Sequence, residues 1–177
     1  MFTLTKAVGL FLSLMAQHQT SDKDFKALGE ITGTDSAIEQ PLSAMITDQK
    51  TMTALWRRHK ELFGEETQQQ GQTQVLEAQV PQVDFKKNIV ITYFAGQTQG
   101  IMGFEIINVD VKGKTNVVRI APKEFPSGGS VLANAFGMWV FPKTTKTIEL
   151  ELVVGYENRQ PVVKKVARFE APKPVKS

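Results

Sequence analysis

The two histidines, His18 and His59, are the first candidates for acid–base or metal chemistry, because imidazole titrates near neutral pH and binds zinc. His18 follows an apolar N-terminal run whose removal we expect, which argues against a catalytic role. His59 lies on the apolar side of a predicted helix, and Phe63 stands where a His-Glu-x-x-His zinc motif needs its second histidine. A lone histidine seldom holds a metal. We therefore predict no metal site and a half-buried, hydrogen-bonded, structural His59.

Glycine and lysine clusters could bind phosphate, but their spacing argues against it. Lys112-Gly113-Lys114-Thr115 is similar to the end of a P-loop, yet Asn108 stands where that motif begins with glycine, and the segment joins two predicted strands. Gly96, Gly100 and Gly103 are too loosely spaced for a dinucleotide loop and enter a strand. We expect these glycines to permit positive φ angles and close backbone contacts, and we predict no cofactor.

Nucleophilic catalysis has few candidate residues. The chain has no cysteine and no Gly-x-Ser-x-Gly motif, and a Ser-His-Asp triad would have to recruit His59. Ser127 and Ser130 flank a Gly-Gly pair and are interpreted as turn residues. Asp84 precedes a buried strand, where we expect it to accept backbone N–H bonds. The sequence thus predicts no enzyme. A hydrolase function would be supported only if His59 and Asp84 were adjacent in a pocket.

One helix is predicted near the middle of the chain. Thr47 or Asp48 can cap its start through a side-chain oxygen, and Gly64 can end it. Apolar residues recur between them at spacings of three and four, which indicates one buried face comprising Met52, Leu55, Trp56, His59 and Leu62. The polar stretch 67–74 that follows is interpreted as a loop within the same domain.

Strands are predicted over most of the remaining chain. Residues 25–46 mix apolar residues with turn formers, which indicates short strands, and residues 89–94 are apolar on both faces. Lys112-Gly113-Lys114 predicts a hairpin turn between strands 101–111 and 115–120. Further strands are expected at 134–141, 147–154 and 161–169, and Ile148, Leu150, Leu152 and Val154 are expected to point inward. We predict a single α+β domain over residues 25–170, mostly antiparallel β sheet or sandwich with one amphipathic helix packed on it.

The two ends of the chain indicate processing and a solvated tail. Residues 1–16 comprise a short, positively charged start and an apolar run, which is typical of a signal peptide. A buried helix or an uncleaved anchor is the alternative. We expect export to the periplasm or the extracellular space, and we expect the Pro- and Lys-rich residues 171–177 to form a disordered basic tail. The net charge of +3 contains no dense basic block, which argues against nucleic-acid binding.

Candidate partner surfaces come from apolar and basic residues. Trp139 and Phe141 lie in a strand that is apolar on both faces, so they are either core residues of a central strand or anchors for a protein partner. Met102 and Phe125 could add adaptable apolar contacts from neighbouring loops. Lys164 and Arg168 are expected on one side of the last strand and Lys165 on the other. They could contact an acidic partner or an anionic wall polymer, or they could simply guard a solvated edge strand.

The order of several motifs resembles the PrcB family, secreted domains named after an accessory subunit of a bacterial surface protease complex. The resemblance covers about residues 30–155 and rests on 33–38 (Gly-Thr-Asp-Ser-Ala-Ile), Pro41, Leu55-Trp56-x-x-His59, Pro81-x-Val83-Asp84-Phe85, Gly96, Gly103, Phe104-Glu105-Ile106 and 134–143. It implies a domain that accompanies or stabilises an exported protease, and it implies no catalytic residues. Some family members are lipoproteins, whereas this chain has no cysteine after its apolar run.

Three non-enzymatic functions follow as expectations. The first is an exported protein-binding module, acting as an accessory or assembly subunit of an extracytoplasmic complex such as a protease complex. The second is a protease inhibitor that uses its Gly-rich hairpin loops, which resemble those of chagasin-like inhibitors although the diagnostic aromatic motifs are absent. The third is a cell-envelope polymer binder that uses the basic C-terminal edge.

Overall fold

Eight strands and one helix make up the residues that this computed structural model describes, which are 25–60, 80–126 and 131–171. In chain order they are β1 Gly29–Gly33, β2 Leu42–Ile46, α1 Gln49–Lys60, β3 Asn88–Gln99, β4 Ile101–Lys112, β5 Thr115–Glu124, β6 Leu132–Pro142, β7 Thr147–Glu157 and β8 Gln160–Phe169. The predicted α+β class is confirmed. The predicted leader, Leu62 and Gly64, the 67–74 loop, Ser127 and Ser130, and residues 172–177 lie outside the described residues.

Helix α1 begins where its cap was predicted. The Asp48 carboxylate accepts hydrogen bonds from the Thr51 backbone N–H and hydroxyl, each at 2.8 Å. The backbone hydrogen bond is the main reason why the pKa of Asp48 lies below its usual value. Met52, Trp56 and His59 form the buried face, as their spacing predicts. In the described part of the chain, no helix is both long and apolar enough to cross a bilayer.

The strands form two stacked sheets, and the helix covers one of them. The inner sheet has the order β1-β6-β3-β2, and the outer sheet has the order β4-β5-β7-β8. One face of the inner sheet packs on the outer sheet through residues such as Ile89 and Ile91, and its other face packs on α1 through Val90 and Phe94. The prediction that this strand is buried on both faces is therefore confirmed.

The named strands are mostly antiparallel, as predicted, and one pair among them is parallel. Strands β5 and β7 are parallel, and their register runs from Thr115 opposite Thr147 to Ile120 opposite Leu152. The strand between them in sequence, β6, belongs to the inner sheet, so the chain crosses to that sheet and back before β7 pairs.

Two bulges change which side chains point inward in the β7–β8 hairpin. The register shifts between Val153 and Gly155, so Val153 is buried whereas Val154 is 56% exposed. Ile148 and Leu150 point inward as predicted, but the prediction for Val154 is wrong. The second bulge skips Val166 in β8. Period-two alternation cannot locate such bulges, because each one reverses the faces of every residue that follows.

The threonine hydroxyl of Thr32 joins the two sheets at the corner where β1 meets β4. It donates a hydrogen bond to the Phe136 carbonyl oxygen at 3.0 Å and accepts one from the Phe104 N–H at 2.9 Å. The neighbouring Gly103 has a φ of 134°, and a Cβ there would collide with the Thr32 hydroxyl. The glycine therefore permits the close approach that lets one hydroxyl serve both sheets.

Replacing Thr32 by valine should lower the free energy of unfolding by about 2 kcal/mol, because the buried Phe104 N–H would lose its acceptor while the volume stays the same. Urea unfolding followed by circular dichroism measures this change. Thr98→Val is the matched control, since the Thr98 hydroxyl donates to the Ala133 carbonyl at 3.0 Å and accepts no bond from any other described residue. Equal losses in the two variants would show that the corner hydroxyl has no special role.

Candidate functional site

Trp139 and Phe141 are core residues, which the sequence left as one of two alternatives. Both side chains are 0% exposed in β6, which lies between β1 and β3. The Trp139 indole covers Gly137 so closely that a Cβ there would overlap the ring. Phe141 stacks on Phe25, with ring centroids 4.7 Å apart. Neither residue presents a surface to a partner in this fold.

Met102 and Phe125 lie together at the turn that joins β3 to β4. Both are half-buried, and the Phe125 N–H donates a hydrogen bond to the Gly100 carbonyl at 3.1 Å. This bond ties the end of β5 to the turn, and Ile101 lies opposite Glu124 beside it. The turn is therefore held against the end of β5 and is not an independent loop.

The predicted basic edge is largely paired with acidic side chains. Arg168 contacts Glu149 at 2.6 Å and Glu170 at 3.5 Å, and Lys165 contacts Glu149 at 2.8 Å. The hydrogen bond from Lys165, together with Arg168, holds the pKa of Glu149 below its usual value. The prediction that Lys165 and Arg168 lie on opposite sides is wrong, because the bulge at Val166 brings both to the same carboxylate. Lys164 lies opposite Leu152 and is exposed.

An apolar groove opens in the outer sheet where β5 and β7 separate. It encloses about 580 Å³ and is lined by residues from β3, β4, β5 and β7. The pairing of β5 with β7 ends at Ile120 opposite Leu152, but β5 continues beside β4 and β7 continues beside β8. Pro122 lies just beyond the last pair and has no N–H to donate to a neighbouring strand. The groove is therefore the space between two diverging ribbons.

The floor and rim of the groove are mostly apolar. Tyr93 and Phe104 lie at the floor with their rings edge to face, 4.9 Å between centroids, and burial raises the pKa of Tyr93. Three rim residues expose large apolar side chains: Ile107 is 42% exposed, Val154 56% and Tyr156 65%. Exposed apolar residues that are grouped around a concave site indicate a binding surface more strongly than scattered ones.

Two carboxylates supply the negative charge of the groove. Glu105 lies opposite Ala121 on the β4–β5 ribbon, and Glu124 lies opposite Ile101 at its end. Both side chains line the groove and are exposed, and neither forms an ion pair with any other residue in the described ranges. The nearby Lys123 instead pairs with Glu30 of β1, at 3.5 Å. The groove thus combines apolar area with uncompensated negative charge.

His59 and Asp84 lie outside the groove. His59 is 0% exposed and packed against Trp56, Phe94 and Phe136, and within the described ranges neither ring nitrogen has a hydrogen-bond partner. The prediction of a half-buried, hydrogen-bonded residue is therefore wrong, although its structural role stands. Burial lowers the pKa of His59 to about 4. The Asp84 carboxylate accepts a bond from the Lys86 N–H at 3.1 Å, which confirms its predicted role.

Sequence reasoning missed the groove, because no run of residues along the chain encodes it. Its lining comes from strands separated by up to about sixty positions, and it exists because one pairing stops early. The available signal was Ala121-Pro122, since proline inside an apolar strand marks an edge or the end of pairing. No group of three or more metal-ligating side chains occurs within residues 25–60, 80–126 and 131–171. Comparison with known protein families, with characterised proteins and with solved structures finds no match to this chain.

Proposed function

We propose that this protein is an exported, non-enzymatic protein-binding module, an accessory or assembly subunit of an extracytoplasmic complex such as a protease complex. The observation that carries the proposal is the apolar groove between β5 and β7, with its exposed rim of Ile107, Val154 and Tyr156. Export is supported by the signal-like residues 1–16. The protease partner is supported by the resemblance to the PrcB family.

The lining of the groove favours recognition over catalysis. The two carboxylates of the lining, Glu105 and Glu124, lie at its exposed rim rather than in an enclosed pocket. The hydroxyl groups in the lining belong to Thr98, Tyr93 and Tyr156, and none of them has a histidine or lysine beside it in the lining to accept its proton. Apolar area with a few charged groups is the usual composition of a binding site.

A pair of glycine substitutions tests the proposal. Gly155 lines the groove and Gly29 lines a second, smaller cavity of about 200 Å³ beside α1, and a Cβ at either position meets no atom within 4 Å. Gly155→Trp should therefore fill the groove without unfolding the protein, and Gly29→Trp is its matched control. The measurement is affinity capture from native envelope extract with protein from residue 17 onward, analysed by mass spectrometry.

We expect wild type and Gly29→Trp to capture the same stoichiometric protein and Gly155→Trp to lose it. If only Gly29→Trp fails to capture the protein, the binding site is the smaller cavity rather than the groove. No captured protein with any variant would contradict the proposed function, and retention on insoluble wall material would then favour polymer binding. Slowing of a protease by the purified domain alone would favour the inhibitor function, because an assembly subunit has no reason to block its partner.

A further inference from the structure

The groove borders two strand edges that have no partner among the residues that the structure describes. Beyond Ile120 and Leu152, strand β5 is paired only with β4 as far as Glu124, and β7 is paired only with β8 as far as Glu157. The facing sides of these two segments therefore carry backbone N–H and C=O groups that no strand of the described chain uses. Such an edge is a template for another strand.

The lining of the groove follows the β7 backbone rather than one of its faces. Side chains of a strand alternate between two faces, so a cavity over one face would contact every second residue. Here five consecutive residues, from Leu152 to Tyr156, line the groove. The bulge at Val154 contributes to this run by turning that side chain outward. A ligand in the groove would thus lie along the open edge.

We propose that an extended segment of the protein partner inserts as a β-strand between the β5 and β7 edges, with apolar side chains on the floor and a lysine or arginine beside Glu105 and Glu124. The proposal rests on the proposed function and names the chemistry of its partner. Strand addition uses main-chain hydrogen bonds for affinity and alternate side chains for specificity.

The observations favour a strand over a compact apolar molecule. A compact molecule could cover Tyr93 and Phe104, but it would leave the open edges of residues 121–124 and 153–157 to water. An inserted strand would pair with the open edges, and every second one of its side chains would also reach the floor of the groove. The two unpaired carboxylates add a preference for a basic side chain, because opposite charge across an interface selects the partner.

Selection from a library of random peptides of about ten residues tests the chemistry of the occupant without knowledge of the partner. The library is displayed on phage and selected on the mature protein, with counter-selection on Gly155→Trp. We expect enriched peptides that alternate apolar and polar residues, carry Lys or Arg, and bind Gly29→Trp as well as wild type. No enrichment over Gly155→Trp, or enrichment without alternation, would overturn the proposal.

Two measurements on an enriched peptide then test the binding mode. Methylation of its backbone nitrogens should weaken binding at both alternate sets within the inserted segment, because one set faces β5 and the other faces β7, and it should be tolerated outside that segment; amide hydrogen exchange at residues 153–157 should slow when the peptide binds. Replacing both carboxylates, Glu105→Gln with Glu124→Gln, should weaken the binding about tenfold at low salt and leave an uncharged version of the peptide unaffected. Binding that tolerates methylation at every position would refute strand insertion.

Failure of this inference can be separated from failure of the proposed function. If envelope capture depends on Gly155 but no alternating peptide is enriched, the module binds its partner in another way. If peptides insert but no envelope protein is captured, the groove binds strands and the assembly function is wrong. Concentration-dependent dimers that Gly155→Trp abolishes would identify a second copy as the occupant and overturn the partner stated here.

Discussion

Trp139→Ala is expected to lower the free energy of unfolding by about 3 to 5 kcal/mol, which is enough to unfold many domains of this size. The indole is 0% exposed in the central strand β6 and packs in the core between the two sheets. Its removal leaves a cavity that the flanking strands cannot close, because they are hydrogen-bonded on both sides of β6. Thermal and urea unfolding monitored by circular dichroism measure the loss.

Two other variants show whether the effect is one of packing. Trp139→Phe should cost less, because the indole Nε1 has no hydrogen-bond partner in the part of the chain that the structure describes, and the phenyl ring refills most of the cavity. Tyr156→Ala removes a side chain that is 65% exposed at the groove, so it should leave stability nearly unchanged. If Trp139→Ala stays as stable as wild type but loses partner binding, the placement of Trp139 in the core is wrong.

Acidification from pH 6.5 to pH 4 is expected to remove about 3 kcal/mol of stability through His59. The folded protein keeps this imidazole neutral because burial lowers its pKa from 6.5 to about 4. The unfolded chain takes up the proton first as the pH falls, so the stabilisation is complete above pH 6.5 and is lost progressively towards pH 4. The charged groups that act on the ring are Lys60, on its own helix, and Asp35, which follows β1.

His59→Leu is the control, because leucine keeps the apolar packing and does not titrate. The variant should lose no hydrogen bond at neutral pH, since neither ring nitrogen has a partner among the described residues, and its stability should be nearly flat between pH 6.5 and 4.5. Asp35, Asp48 and Glu149 also have lowered pKa values, but their ordinary values of 3.8, 3.8 and 4.5 mean that their effect begins only at the acid end of this window and grows below it. An unchanged slope in the variant would show that another group causes the acid sensitivity.

Local patterns in the sequence predicted the elements correctly. The cap at Asp48, the buried face of α1 and the two-faced burial of β3 follow from spacings within a dozen residues. The turn at Gly113 and the hydrogen bond accepted by Asp84 are equally local. Such features depend on backbone geometry and short-range burial, which adjacent residues determine.

The candidate site depends on relations that no local pattern contains. Which sheet a strand joins is decided by long-range packing, so the crossover of β6 and the parallel pairing of β5 with β7 could not be inferred. The bulges at Val154 and Val166 reversed faces that strict alternation had assigned. Buried polar groups are normally hydrogen-bonded, and the prediction for His59 relied on that rule. The prediction was wrong because His59 is buried with no hydrogen-bond partner among the described residues.

Because β6 belongs to the inner sheet, the two sheets become complete in a set order as the chain emerges from its N-terminus. By residue 142 the inner sheet and its helix have all their strands, whereas the outer sheet has only the β4–β5 hairpin. Strands β7 and β8 must arrive last and dock on β5 to complete the cover over Trp139 and its neighbours. Contacts between segments far apart in the chain slow folding. A chain that folds as it emerges would therefore pass through a stage in which part of the apolar surface between the two sheets is open, and anything that binds this surface at that stage would act before the groove exists.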